Sequence, residues 1–365
     1  MPLDRHGPQF DLLYPLPPPG RTWHHHRVYT NYHGFTVPEA GLGVFTYIRC
    51  QPAFPLSHGG VMMFQGMENI DPLDSEFYDY EISMPWPEVD DSSGVTTVTT
   101  ANGLRLEILE PGRTERLTYT SNDGQTRIDV LAEAITPMLA RGHVMSGEET
   151  HSPETGDGAP HPPGGFEQFM HYTGEVVLHG RRHPVDAYDV RDRSWHQLRT
   201  ERQDAVLAPP MCWTPMHFGD DLTLHHVGFE SPAHEPLWTE VYDIPPEKIV
   251  PIAGWVYSAA EDEALRMVRT RREVLDRHPL TFMPTRQVLE VEDEKGRVLT
   301  FTGEAISVGL LPAWPNTNMR GGVYRWTDES GRTCHSLTQE LWFDRWQQAM
   351  KQRSRPNRSA EGAGR

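Results

Sequence analysis

The stretch YDVRDRSWHQLR, residues 188–199, holds Arg191, Asp192, Arg193, Ser194, Trp195 and His196 without interruption. A carboxylate between two guanidiniums, followed by an indole and an imidazole, admits two readings. One is a structural ion-pair knot, in which Arg191 and Arg193 lower the carboxyl pKa and lock Asp192 as a permanent anion. The other is acid/base chemistry, in which Asp192 takes or gives a proton with imidazole help. Upstream, FEQFMHYTGEVVLHG (166–180) supplies further groups. If HGRR closes a hairpin, the expected strand register sets Asp192 opposite Phe169, Ser194 opposite Glu167 and Val190 opposite His171. One face then carries Glu167, His171, Asp192, Ser194 and His196. The other carries Gln168, Met170, Tyr172, Asp189, Arg191, Arg193 and Trp195. On that arrangement Asp192 is the acid/base group, His196 and His171 are its partners, and Glu167 raises its pKa by like-charge coupling. Such a set requires no metal and no nucleotide, and no cofactor is expected.

A second polar group lies in PPMCWTPMHFGDDLTLHHVGFE, with Trp213, His217, His225, His226 and Glu230. In a strand His225 and His226 face opposite ways, so only one of them can share a cavity with its neighbours. Trp213, His217 and His226 join Arg193, Trp195 and Tyr172 as candidate substrate contacts. His217, His226 and Glu230 could instead hold a metal, but their spacing is not that of a ligand set, and no metal site is assigned. WHHHRVYTNYHGF (23–35) reads as surface or edge imidazoles. GLGVF (41–45) lacks the glycine spacing of a dinucleotide loop, and GxSxG, Walker A and HExxH motifs are missing.

The elements that must position these groups are strands. The 365 residues include 32 Pro, 31 Gly, ten Trp, twelve Tyr and thirteen Phe, with a mean hydropathy of −0.58. That is a turn-rich, aromatic β protein, long enough for two domains or one large β structure. GVFTYIRC (43–50) and GGVMMFQG (59–66) are apolar strand runs, and GLRLEILE (103–110) alternates at close to period two. RLTYTS and TRIDVLAEA flank NDG (122–124), a hairpin signal, so three meander strands are expected here. A Lys-Gly turn marks another hairpin at 295–296. Residues 146–165 read as a long exposed loop, a linker or a lid. Helical patterning is confined to 258–278 and to a closing helix over 336–353.

Composition also bounds the partners. A formal charge of −18 repels nucleic acid and anionic membrane surfaces. Three widely spaced cysteines, Cys50, Cys212 and Cys334, form neither a metal knuckle nor a disulfide framework, which suits a reducing compartment. The N-terminus lacks a signal pattern and no segment is apolar for long enough to span a membrane, so the chain reads as cytoplasmic. A small hydrophobic substrate is the expected partner, and a homodimer the default assembly.

The segment FEQFMHYTGEVVLHG…VDAYDVRDRSWHQLR resembles the FEQ…RDRSWG signature of the lipocalin-like, two-domain proteins grouped with carotenoid 1,2-hydratase and AttH-type proteins. The resemblance implies an all-β fold: two lipocalin-like (calycin-type) antiparallel barrel or sandwich domains packed together, with few helices and a C-terminal helix. It also implies a ligand cavity and cofactor-independent acid/base chemistry on a hydrophobic substrate. Carried over by position, the acid/base aspartate falls on Asp192 and an aromatic anchor on Trp195. Two positions depart from the pattern: Val190 stands where the hydratase branch has Tyr, and His196 where Gly usually follows the Trp. The expected layout is an extended lead-in (1–22), a first β domain (23–185), a second β domain (186–350) and a basic tail (351–365).

The function this favours is a cofactor-independent lyase or isomerase, of hydratase/dehydratase type or eliminating another small neutral fragment, on a hydrophobic hydroxylated aromatic or terpenoid compound. A non-catalytic carrier of hydrophobic ligands and a metal-dependent oxygenase are the alternatives.

Overall fold

A computed structural model describes residues 3–140, 164–198, 211–229, 253–311 and 317–354. Two antiparallel β units account for nearly all of them. The first is a curled twelve-stranded sheet, here called the cup. Its strand order is β4 (Phe77–Pro85), β3 (Leu56–Phe64), β2 (Leu42–Gln51), β1, β12, β11, β9, β8, β7, β6 (Thr96–Thr99) and β5 (Glu88–Asp90), with β10 (Leu139–Ala140) paired to β11. The second is a closed barrel of eight strands, β13 to β20. This is a two-domain lipocalin-like arrangement.

The centre of the cup is formed by β1 (Arg27–Val37), β11 (Gly164–Leu178) and β12 (Arg181–Leu198). β11 and β12 are joined by His179 and Gly180, both at positive φ (50° and 79°), the two-residue hairpin turn whose twist matches that of the strands. That tight turn moves the register by two residues from the expected one: Asp192 lies opposite Glu167, and Val190 opposite Phe169. Because the shift is even, each residue keeps its face while exchanging its partner. The meander expected around NDG is present as β7 (Arg105–Glu110), β8 (Thr114–Thr120) and β9 (Arg127–Ala134), with Gly124 at φ +69°. The free edges of the cup are tied together by Asn102, whose Nδ2 donates to Gly59 O and Asp79 O at 3.2 Å each, and by the Tyr119 hydroxyl on the Asp79 carboxylate.

The barrel contains β13 (Met211–His217), β14 (Thr223–Phe229), β15 (Ala253–Ser258), β16 (Glu263–Arg277), β17 (Pro284–Asp293), β18 (Val298–Leu311), β19 (Thr317–Asp328) and β20 (Thr333–Phe343), followed by helix α1 (Asp344–Ser354). The helix expected over 258–278 is strand β16 for most of its length, paired on both sides with β15 and β17. Barrel closure offers that backbone two ladders of hydrogen bonds, which outweighs the helix propensity of its Ala, Glu, Leu and Arg residues. The closing helix expected over 336–353 is strand as far as Phe343 and helix only after it. The loop expected over 146–165, apart from Gly164 and Gly165, and the tail beyond Ser354 lie outside the described residues.

Three apolar cores follow from strand alternation. One fills the cup, around Trp23, Phe35, Tyr172 and Trp195. One fills the barrel, around Leu289, Phe301, Tyr324 and Trp326. The third is the seam between the domains, with Tyr32, Phe45, Phe64, Phe169 and Val190 from the cup against Trp213, Trp255, Val323 and Leu337 from the barrel. Phe64 packs on glycine backbone from both sides: a Cβ at Gly43 or at Gly309 would stand 2.5 or 2.6 Å from its ring. The expected domain boundary at 185/186 falls inside β12, all of which pairs within the cup. We propose a division after Leu198 and before Met211.

Candidate functional site at the domain seam

β12 sorts the charged run by parity. Arg191 and Arg193 turn into the cup. Arg191 is 1% exposed and holds Asp11 through both carboxylate oxygens (2.8 and 2.9 Å), Glu115 at 2.6 Å and Gln168 Oε1 at 2.6 and 2.9 Å. Burial acts to raise the Asp11 pKa, but the Arg191 guanidinium outweighs it and holds Asp11 below the usual carboxylate range. Glu115 continues the network to His33 Nε2 (3.1 Å), and His33 Nδ1 meets the Tyr172 hydroxyl at 3.1 Å. Arg193 lies over the Tyr14 ring at 4.1 Å and donates to Leu13 O. The ion-pair knot expected around Asp192 therefore exists, but Arg191 forms it with Asp11 and Glu115. The lead-in expected to lie extended on the surface instead buries Asp11, which anchors it to the cup.

Asp192 points the other way. Directly opposite it stand Glu167 on one side and Tyr32 on the other, so the three side chains share the face turned to the barrel. Thr30 Oγ1 and Ser194 Oγ each lie 3.4 Å from Asp192 Oδ1. Across the seam, Glu167 Oε2 is 3.9 Å from Nδ1 of His225. His225 is 1% exposed, and burial, with His226 beside it, drops its pKa well below the ordinary value, so the ring is neutral at pH 7. Trp213 meets His225 edge-on at 4.6 Å and Tyr32 at 5.1 Å, while Trp255 faces Phe169 at 5.9 Å. Close by, where the β1–β12 pairing ends, Asp189 is fully buried. Its carboxylate accepts from Val190 N (2.8 Å) and from Leu337 N of the barrel (2.7 Å), and burial pushes its pKa well above the usual range despite those two donors.

A groove of about 510 Å³ opens at one end of the seam, lined by Thr36, Asp186, Tyr188, His217, Asp220 and His335 among others. Here His171, Tyr188 and His217 stack in sequence at 4.4 Å spacings, and Asp186 holds His171 Nε2 at 2.7 Å. Burial lowers the His217 pKa to about 4. From His217 the rings continue through Phe169 (6.4 Å) and Trp255 to His225, so an aromatic row runs from the groove to the carboxylates.

The ten residues singled out from sequence thus separate into four places. Glu167, Asp192 and Trp213 lie in the seam, His217 lines the groove, and His171 stacks beside it on Tyr188. Tyr172, Arg193 and Trp195 lie inside the cup, Trp195 stacking on Phe10 at 4.7 Å. His196 also turns inward: at φ +57° it breaks the strand alternation and packs against Trp23 (5.1 Å) and Tyr29 (5.9 Å). The left-handed backbone there is the reason a Gly suits that position. His226 lies inside the barrel beside Cys212 Sγ (3.6 Å), its pKa lowered to about 3 by burial and by Arg272. Its neighbour His225 faces the seam.

Sequence reasoning missed Tyr32, Asp189, Trp255 and Gln339 at the seam and His33 and Glu115 in the cup. The one available signal was parity at 225 and 226, which required one of the two imidazoles to face the seam. Glu230 lies outside the described residues. Among the described residues no group of three or more His, Cys, Asp or Glu is gathered to hold a metal, and no helix is long and apolar enough to cross a membrane.

No curated protein matches the sequence. Among the solved structures that are similar over most of the chain are the following two. One, from Nitrosomonas europaea and described as an AttH protein, is 10% identical with a TM-score of 0.42, covering 90% of this chain and 99% of its own. The other, kievitone hydratase from Nectria haematococca, is 12% identical with a TM-score of 0.49, covering 88% of this chain and 90% of its own. Residues 30–342, which contain nearly all of both β units and of the seam, match the family model described as a domain of unknown function, DUF7064, and the chain belongs to that family.

Proposed function

We propose that this protein is a cofactor-independent lyase that adds or removes water, or another small neutral fragment, by acid/base catalysis on a hydrophobic hydroxylated substrate held in the seam. The observation that carries the reading is the opposition of Glu167 and Asp192 on the seam face of one hairpin, with the neutral imidazole of His225 beside Glu167. Side chains directly opposite in an antiparallel pair have Cβ atoms about 5 Å apart, close enough to act on one small group.

In the elimination direction Asp192, ionised, takes a proton from carbon. The C–H electrons become the new double bond, the C–O bond breaks, and Glu167, carrying a proton, delivers it to the departing hydroxyl so that water leaves. The proton left on Asp192 then passes to Glu167, which stands directly opposite it, and the starting state is restored. The rings of Trp213, Tyr32 and Phe169 supply an apolar wall, which suits an aromatic or terpenoid body better than a sugar or nucleotide.

The test is to incubate metal-stripped, nucleotide-free protein with a hydrophobic metabolite extract and follow masses. Loss or gain of water by one compound, absent with Glu167→Gln, supports the reaction. Retention of an unaltered compound by both proteins would make this a carrier.

A further inference from the structure

The groove at the end of the seam leaves its acidic charge unanswered. Thr36 from β1, Asp186 and Tyr188 from β12, His217 from β13, Asp220 from the turn after it and His335 from β20 all line it, so both domains build its walls. Among the described residues no Lys or Arg does. The imidazoles do not supply the missing charge. Burial lowers the His217 pKa to about 4 and holds that of His335 below its ordinary value, so both rings are neutral at pH 7. A smaller groove on the barrel, about 320 Å³, shows the contrast: its Glu263 is paired with Lys295 and its Asp293 with Arg297. Asp221 is likewise held by Arg332 at 2.8 Å. Asp220 has no ion-pair or hydrogen-bond partner for its carboxylate among the described residues, and Asp186 is met there by His171 Nε2 alone, at 2.7 Å on one oxygen. Thr36 is 2% exposed, and its hydroxyl has no hydrogen-bond partner among the described residues either. A buried polar side chain left open on a cavity wall requires a reason.

Charge and donor count say what the groove can receive. Two carboxylates without a lining cation, in a protein of formal charge −18, repel an anion. Both faces of the Tyr188 ring are already covered, by His171 and by His217 at 4.4 Å each, so that ring has no face left on which a sugar or flat ligand could stack. A metal ion needs several converging ligands, and among the described residues no three His, Cys, Asp or Glu are gathered to hold one. An alkylammonium group meets every condition: it is positive, and it carries three N–H donors and no acceptor. The groove answers with the Asp220 carboxylate, the second oxygen of Asp186, the Thr36 hydroxyl and His217 Nε2, which accepts when Nδ1 donates to Thr223 Oγ1 at 2.8 Å. Its volume of about 510 Å³ is that of a small-molecule site. We propose that this groove binds the ammonium group of a small organic cation, with Asp186 and Asp220 as its counter-charges and Thr36 and His217 as further acceptors. The site stands beside the proposed lyase reaction and does not rest on it.

The test is calorimetric titration of the full chain with hexylammonium, 1-hexanol and hexanoate, which place three different heads on one body. Hexylammonium should bind about tenfold more tightly than either of the others, as hydrogen bonds between charged groups require. Both carboxylates are exposed, so each is worth less than a buried one. Asp186→Asn and Asp220→Asn should each weaken hexylammonium by about fivefold and leave the urea midpoint unchanged. Glu88→Gln, on the edge strand β5 and outside the groove, removes one charge from the whole molecule and should change the affinity by less than about twofold. The proposal is overturned by absent hexylammonium binding, by hexanol or hexanoate binding as tightly, or by affinity indifferent to both aspartate substitutions. It is overturned equally if Glu88→Gln costs as much as Asp220→Asn, because the whole protein's field would then account for the binding.

Discussion

The two faces of the β11–β12 hairpin carry similar residue types and treat them in opposite ways. On the cup face, Arg191 is surrounded by two carboxylates and a glutamine that answer its donors, and Asp11 accepts a further bond from Gly112 N. On the seam face, Glu167 and Asp192 stand directly opposite each other, with Tyr32 across from Asp192 and the neutral imidazole of His225 beside Glu167. A buried cation answered by carboxylates on every side is structural; two carboxylates brought opposite each other beside an apolar wall are suited to proton transfer. Composition alone could not separate the two, since both faces are drawn from the same twelve-residue run and its partner strand.

The largest loss is expected in the cup. Arg191→Met leaves Asp11 and Glu115 buried without their cation and should cost about 3–5 kcal/mol by urea denaturation. A cost below about 1 kcal/mol would mean that the network is not structural.

Acid should act next, through the imidazoles. His225 is held well below its ordinary pKa, and His226 at about 3. The unfolded chain therefore binds protons that the fold refuses, and stability should fall as pH drops below about 6.5, by up to about 1.4 kcal/mol per pH unit for each ring. Asp189 has the opposite sign: protonated in the fold and ionised when unfolded, it lowers stability as pH rises from about 4 through its raised value. Asp189→Asn should remove that alkaline limb and leave the acid limb in urea midpoints measured across pH.

Gly34→Ala sharpens the seam side. A Cβ there would stand 1.8 Å from Tyr32 Oη and 2.8 Å from Leu337 Cδ2. Overpacking of this kind costs about 1–3 kcal/mol and should displace the Tyr32 ring, so the urea midpoint should fall.

The smallest effect is expected at His196. His196→Gly relieves a left-handed backbone but gives up the packing against Trp23 and Tyr29, and the net change should be under about 1 kcal/mol. A large loss of stability would show that the imidazole is held by more than its rings.

Part of this was legible in the residues. Period-two alternation put Glu167 and Asp192 on one face and Arg191 and Arg193 on the other, and that parity survives any even shift of register. The register itself was not legible, because HGRR closes equally well as a longer loop, and only the positive φ of both His179 and Gly180 fixes the two-residue turn. Residues 263–277 misled because good helix formers fill a strand whose conformation is decided by neighbours from elsewhere in the chain. The rest of the seam was hidden for the same reason. Tyr32, His225, Trp255 and Gln339 meet only because β1 and the barrel strands pack across the domain boundary, and no local spacing reports that contact.

The most direct measurement compares wild type with Asp192→Asn, each incubated with the same hydrophobic metabolite extract and analysed by mass spectrometry, with urea midpoints taken in parallel. Thr30 Oγ1 and Ser194 Oγ both lie 3.4 Å from Asp192 Oδ1, and the amide oxygen of an asparagine can accept from both, so the account predicts midpoints that differ little and a water-sized mass change seen with wild type alone. Equal conversion by both proteins, or a large loss of stability in the variant, would contradict it.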